Sequence, residues 1–187
     1  MGHPGAPRNV ADYESLVVAT AILGGTFSSR LNLNLREKHG FTYGVRAQMA
    51  YRRGPGPFSI GTAVDTGVTA AAVREAVGEV ERYVEGGPTE DEVAAARDYL
   101  AGIFPLRLET TGQVASRVAE LRVYDLPADF WAGYRDRIRG VTRDGAWSAA
   151  RTHIRPGELA ITVVGDAGAV VPALEGLDLG QVAVHTP

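Results

Sequence analysis

An α+β fold is predicted for this chain: a two-layer sandwich with helices covering one face of a mostly antiparallel sheet. Three observations predict it. Residues 41–52 alternate apolar and polar side chains over a long stretch, and after a Gly/Pro-rich turn residues 58–65 alternate again. Helical spacing dominates before that pair and through most of the chain after it. Short apolar runs return only near the end, around 159–163 and 182–184.

Each element has its own signal. Residues 12–23 carry apolar side chains at Leu16, Val17, Val18, Ala21, Ile22 and Leu23, a helical cluster closed by Gly24 and Gly25. The next stretch, SSRLNLNLREKHG, pulls two ways. Leu31, Leu33 and Leu35 alternate with Asn32 and Asn34 as in a half-buried strand. Against that, Ser28 is a good N-cap, Arg36, Lys38 and His39 suit the negative end of a helix dipole, and Gly40 fits the left-handed position beyond a helix. A helix is expected.

From Phe41 the period becomes two, with Phe41, Tyr43, Val45, Ala47, Met49 and Tyr51 on one face. Residues 53–57 make a turn, and Phe58, Ile60, Thr62 and Val64 complete an antiparallel hairpin. The hairpin is expected at the centre of a sheet. A helix over about 68–85, with Val73, Ala76, Val77, Val80 and Val84 on its apolar stripe, should pack on it and stop at Gly86 and Gly87. Thr89 and Glu92 form a capping box for a further helix that breaks near Pro105. Helices follow over 110–123 and 127–139, and another from Thr142. Leu159, Ile161 and Val163 read as a short strand, and 182–184 as a last edge strand. One domain spans 1–187, as helices and hairpin (1–66), a helical layer (67–157) and terminal strands (158–187).

Composition narrows the function. At 187 residues the chain is long enough to bury a core without disulfides or metals. The 19 basic and 22 acidic residues leave a net charge of −3, and no basic run follows a phosphate backbone, so nucleic acid is not an expected partner. Having no cysteine excludes thiolate nucleophiles and Cys-ligated metals. His3, His39, His153 and His185 are scattered, with no i, i+4 pair to grip a metal from one helix face, so no metal site is expected in this chain. No phosphate-binding loop, nucleophile elbow or dinucleotide fingerprint is present. No window approaches a membrane span and no signal peptide is visible, so a soluble protein is expected, cytoplasmic by default.

The stretch LGGTFSSRLNLNLREKHGFTYGV, followed by the hairpin and the helix TEDEVAAARDYL, resembles the C-terminal half-domain of pitrilysin/insulinase-type zinc metallopeptidases, relatives of mitochondrial processing peptidase. The resemblance covers about residues 2–166, and its most specific part is R-E-K-x-G-x-x-Y-G. It implies that this chain is the zinc-free half of a metalloendopeptidase. Its partner would be a domain or separate subunit bearing an inverted H-x-x-E-H motif, which is absent here. Zinc would belong to that partner, and no cofactor to this chain.

The resemblance also implies that Arg36 and Tyr43 are the catalytic and substrate-binding residues, contacting peptide backbone beside the partner's metal. Strand periodicity by itself makes Tyr43 a core-facing aromatic instead. Glu37 and Lys38 read as exposed neighbours and His39 as a helix-end dipole partner. Gly24, Gly25 and Ser28 read as turn and cap. Related domains carry a strand before G-H-P-G-x-P-R, whereas here Met1 directly precedes it, so the sheet is expected to lack its first strand. An edge left open in this way invites self-association. A non-catalytic structural or peptide-binding relative of the family is the alternative.

Overall fold

The computed structural model describes residues 1–185. Three antiparallel strands lie in the order β1 (Gly2–Pro4), β3 (Pro57–Thr62), β2 (Val45–Met49). The expected hairpin is formed, with Val45 opposite Thr62 and Met49 opposite Phe58. Val45, Ala47 and Met49 are buried and Arg46 and Gln48 exposed, as the period-two pattern requires. The first hairpin strand is shorter than the alternation suggests. It begins at Val45 because residues 42–44 are held in a side-chain-bonded turn. β3 is central and β2 lies at an edge. β1 carried no sequence signal, since three residues are too few to show a period; it pairs Gly2 with Ser59 and His3 with Phe58.

Helices cover the buried face of this sheet. α1 (Tyr13–Thr20) continues as a wide π-type turn, Ala21–Gly25, and is buried over most of its surface. Gly24 is required there: a Cβ on it would sit 2.5 Å from the Ala47 methyl, so the helix end rests directly on β2. The ambiguous stretch is helical, with residues Asn32–Lys38 in π geometry. Its first backbone bond runs from Leu33 N to Ser29 O at 2.9 Å, so Ser29 rather than Ser28 stands at its start.

α2 (Thr69–Gly86) packs on the Asn32–Lys38 segment and on helices later in the chain rather than on the hairpin where it was expected. Asn34 Nδ2 donates to the carboxylates of Glu75 (3.2 Å) and Glu79 (3.0 Å) on α2. The Tyr83 hydroxyl donates to Ala19 O at 2.9 Å, locking α2 to α1. Phe58, Leu16, Leu23, Leu31, Leu35, Val80 and Tyr83 form the dry centre of the core.

α3 (Glu90–Ile103) starts with the expected capping box, Thr89 with Glu92. α4 (Thr111–Val123), α5 (Tyr134–Arg139) and α6 (Arg143–His153) follow. The helix expected over 127–139 is reduced to α5. Residues 127–133 form successive tight turns, Phe130 N to Pro127 O and Ala132 N to Asp129 O, pinned by the bond from Trp131 Nε1 to Arg117 O (3.0 Å).

The terminal strands are not formed. The 159–163 run makes one bridge, Ala160 with Gly2, and 182–184 make none; between them lies a helix without a sequence forecast, α7 (Ala167–Glu175). No helix among the described residues is long and apolar enough to cross a membrane.

Candidate functional site

Three pieces of chain meet at the start of β2: the loop 26–29, the helical segment Asn32–Lys38 and the turn 42–44. Asn32 ties them together. The two N–H groups of its buried Nδ2 are shared among Thr26 O (3.0 Å), Ser29 Oγ (3.1 Å) and Val45 O (3.0 Å), and its Oδ1 accepts from Val45 N (3.0 Å). The side-chain amide therefore takes the place of a neighbouring strand for Val45. The bonds to Ser29 and Val45 are buried, where an unmade hydrogen bond would cost most.

The helix ends in a left-handed residue, Gly40 at φ +64°, whose N donates to Arg36 O at 3.0 Å. The chain then turns through 42–44. Thr42 Oγ1 donates to Gly44 O (2.9 Å) and accepts from Gly44 N (3.1 Å), while Thr62 Oγ1 of β3 lies 2.9 Å from both Thr42 Oγ1 and Gly44 O. Four short contacts thus anchor a three-residue tip. At its middle stands Tyr43, with a relative exposure of 102%. Tyr43 is not the core-facing aromatic that strand alternation suggested, because the ladder starts only at Val45.

Arg36 occupies the last helical turn on the other side of Gly40. Its guanidinium lies 4.0 Å from the centre of the Phe27 ring, itself largely exposed on the 26–29 loop. Its Nη1 is buried, 3.2 Å from Glu37 Oε1 but without hydrogen-bond geometry, and has no hydrogen-bond partner among the described residues. Arg36 and Tyr43 make no hydrogen bond to each other; the Gly40 stop presents them separately. His39 caps the helix, its ring stacked on Phe41 at 4.9 Å and its Nε2 3.7 Å from Glu75. Among the described residues no group of three or more His, Asp or Glu is placed to hold a metal ion.

Chemically, the rim offers a partly exposed guanidinium and a phenolic O–H held outward, both groups suited to carbonyl oxygens. Nothing in it can act as an activated nucleophile. Sequence reasoning missed three supports: Asn32, Phe27 and the Thr42 and Thr62 pair. Asn32 had one legible sign, an amide inside the otherwise apolar L-N-L-N-L run. The threonine pair had none, since it depends on the register of the hairpin.

The sequence profile of the peptidase M16 inactive domain matches residues 1–100. An uncharacterized zinc protease of Streptomyces coelicolor is 28% identical over 152 residues, covering 77% of this chain and 33% of that protein. A non-peptidase homolog of Helicobacter pylori, YmxG, is 25% identical over 167 residues, covering 86% and 38%. The crystal structure of a peptidase M16 inactive domain from Pseudomonas fluorescens superposes with a TM-score of 0.78 at 24% identity, over 84% of this chain and 38% of that one. The chain spans about a third of the length of the curated relatives it matches.

Proposed function

We propose, from the premise that this chain belongs to the peptidase M16 inactive-domain family, that it is the non-metal-binding half of a zinc metalloendopeptidase. In this reading it closes over the substrate cleft, with Arg36 and Tyr43 presented to the peptide. The observation that carries the reading is a wholly exposed Tyr43 on an anchored turn, with the partly exposed Arg36 side chain on the other side of the Gly40 stop. A solvent-exposed tyrosine fixed so firmly serves no packing purpose here.

Among the described residues no group is placed to hold zinc, and in this reading the metal sits in the H-x-x-E-H half. There it would polarise the scissile carbonyl and activate water. The part played by this chain is electrostatic. Arg36 donates to backbone carbonyls of the bound peptide and fixes its position without changing protonation. Tyr43 donates its O–H to the oxygen on which negative charge develops, a bond that strengthens as the tetrahedral intermediate forms.

A second reading, a non-catalytic structural or peptide-binding relative, is favoured by one observation: YmxG is named a non-peptidase homolog. Reconstitution separates the two. Mixing this chain with the H-x-x-E-H polypeptide encoded beside or ahead of it should yield a complex that cleaves unstructured peptides, with neither part active alone. A complex that assembles and holds zinc yet cleaves nothing supports the second reading.

A further inference from the structure

A cavity of about 200 Å³ lies between α1, α3, α4 and α5 and shares no residue with the Arg36 and Tyr43 rim. Phe104 and Trp131 form an aromatic wall, their rings stacked with centroids 5.9 Å apart. The wall is fixed in place. Trp131 Nε1 donates to Arg117 O (3.0 Å), and the Phe104 ring packs on Tyr134 at 4.7 Å. The polar lining is Tyr13, Tyr134, Arg107 and Arg117.

These four side chains hold donors that the fold does not use. The hydroxyls of Tyr13 and Tyr134 make no hydrogen bond among the described residues, whereas the nearby Tyr124 hydroxyl donates to Tyr51 O at 3.2 Å. Tyr134 is buried, yet its oxygen stays open to the cavity it lines. Burial raises the pKa of both tyrosines, so each keeps its proton to donate. Arg117 meets both Glu120 oxygens through a single nitrogen, Nη1 (2.9 Å each), and among the described residues neither the rest of its guanidinium nor that of Arg107 makes a hydrogen bond.

Charge points the same way. Arg8 is buried without an ion pair among the described residues, its guanidinium 3.5 Å from the centre of the Tyr13 ring. The carboxylates that act on Tyr13, Glu14 and Glu120, are already held by Arg137 (2.7 Å) and Arg117. In a chain of net charge −3, this region is positive.

We propose that the cavity binds a small organic carboxylate, its oxygens taken by Arg107, Arg117 and the two tyrosine hydroxyls and its apolar part laid against Phe104 and Trp131. The volume lies below the roughly 300–1,000 Å³ of sites for drug-sized ligands, so the ligand is small. Planar guanidinium forks match a planar carboxylate, and inorganic phosphate would leave the aromatic wall without a partner.

The test is an NMR titration of the chain with benzoate, the neutral isostere benzamide and inorganic phosphate, read at the Trp131 indole N–H. Trp147, whose Nε1 donates to Val84 O, is the internal reference. Benzoate should shift the Trp131 resonance saturably and leave Trp147 in place, with benzamide and phosphate at least about tenfold weaker. Tyr134→Phe, which keeps the ring on Phe104, and Arg107→Gln, at an exposed residue, should each weaken benzoate by about tenfold with the melting temperature unchanged. No saturable shift, benzamide or phosphate bound as tightly as benzoate, or variants that bind benzoate as wild type does would each overturn the proposal.

Discussion

Three tyrosines show how one side chain takes three roles. Tyr43 is exposed and its hydroxyl makes no hydrogen bond among the described residues, so Tyr43→Phe should change stability by less than about 0.5 kcal/mol in urea denaturation. Tyr83 is buried and donates to Ala19 O; Tyr83→Phe should cost about 1 kcal/mol. The Tyr51 hydroxyl is buried with no hydrogen-bond partner among the described residues, and burial pushes its pKa well up. Tyr51→Phe should therefore be neutral or stabilising by up to about 1 kcal/mol. Asn32→Ala is the severe change, because it strips partners from the buried Val45 N–H and C=O together; a loss of about 2–3 kcal/mol is expected, with an unchanged m-value. These differences were not legible in sequence. Alternation runs unbroken through Phe41, Tyr43, Val45 and Tyr51, and the point where the ladder begins is set by an amide thirteen positions upstream of Val45.

At the scale of elements, the capping box and the glycine stop were legible within a few residues, whereas much that depends on distant partners was not. The Thr89–Glu92 capping box and the Gly40 stop are local, and both are formed. Gly40→Ala should cost about 1 kcal/mol through the left-handed φ alone. The 159–163 run has strand chemistry but a strand exists only beside a partner, and most of this run has none. The partner of Glu92 was equally invisible: Arg30 grips its carboxylate through Nε (2.6 Å) and Nη2 (2.7 Å), joining the loop helix to α3. Burial pushes the Glu92 pKa up, but Arg30 and the Thr89 N–H outweigh it and hold the carboxyl below its ordinary 4.5. The unfolded chain then takes up the proton first as pH falls. The stabilisation is fully present above pH 4.5 and is lost below it, as the folded group titrates. Wild type should lose more stability than Glu92→Gln between neutral pH and this acid range, as thermal melts of the two would show.

At the scale of the molecule, the chain belongs to the peptidase M16 inactive-domain family and sets an anchored rim on a buried core. The proposed division of labour puts the metal and water on the other half, while this half holds donors on a rigid turn. If so, the contribution of Tyr43 is confined to the transition state, and that of Arg36 is shared between binding and turnover. Arg36→Lys keeps the charge but loses the planar fork, so it should weaken peptide cleavage without preventing assembly. The most direct test compares wild type and Tyr43→Phe in the zinc-loaded, reconstituted assembly under steady-state peptide hydrolysis. The proposal predicts a fall in kcat of about a hundredfold, on the order of 3 kcal/mol, with KM nearly unchanged and the same melting temperature. Unchanged turnover by the Tyr43→Phe assembly would contradict it.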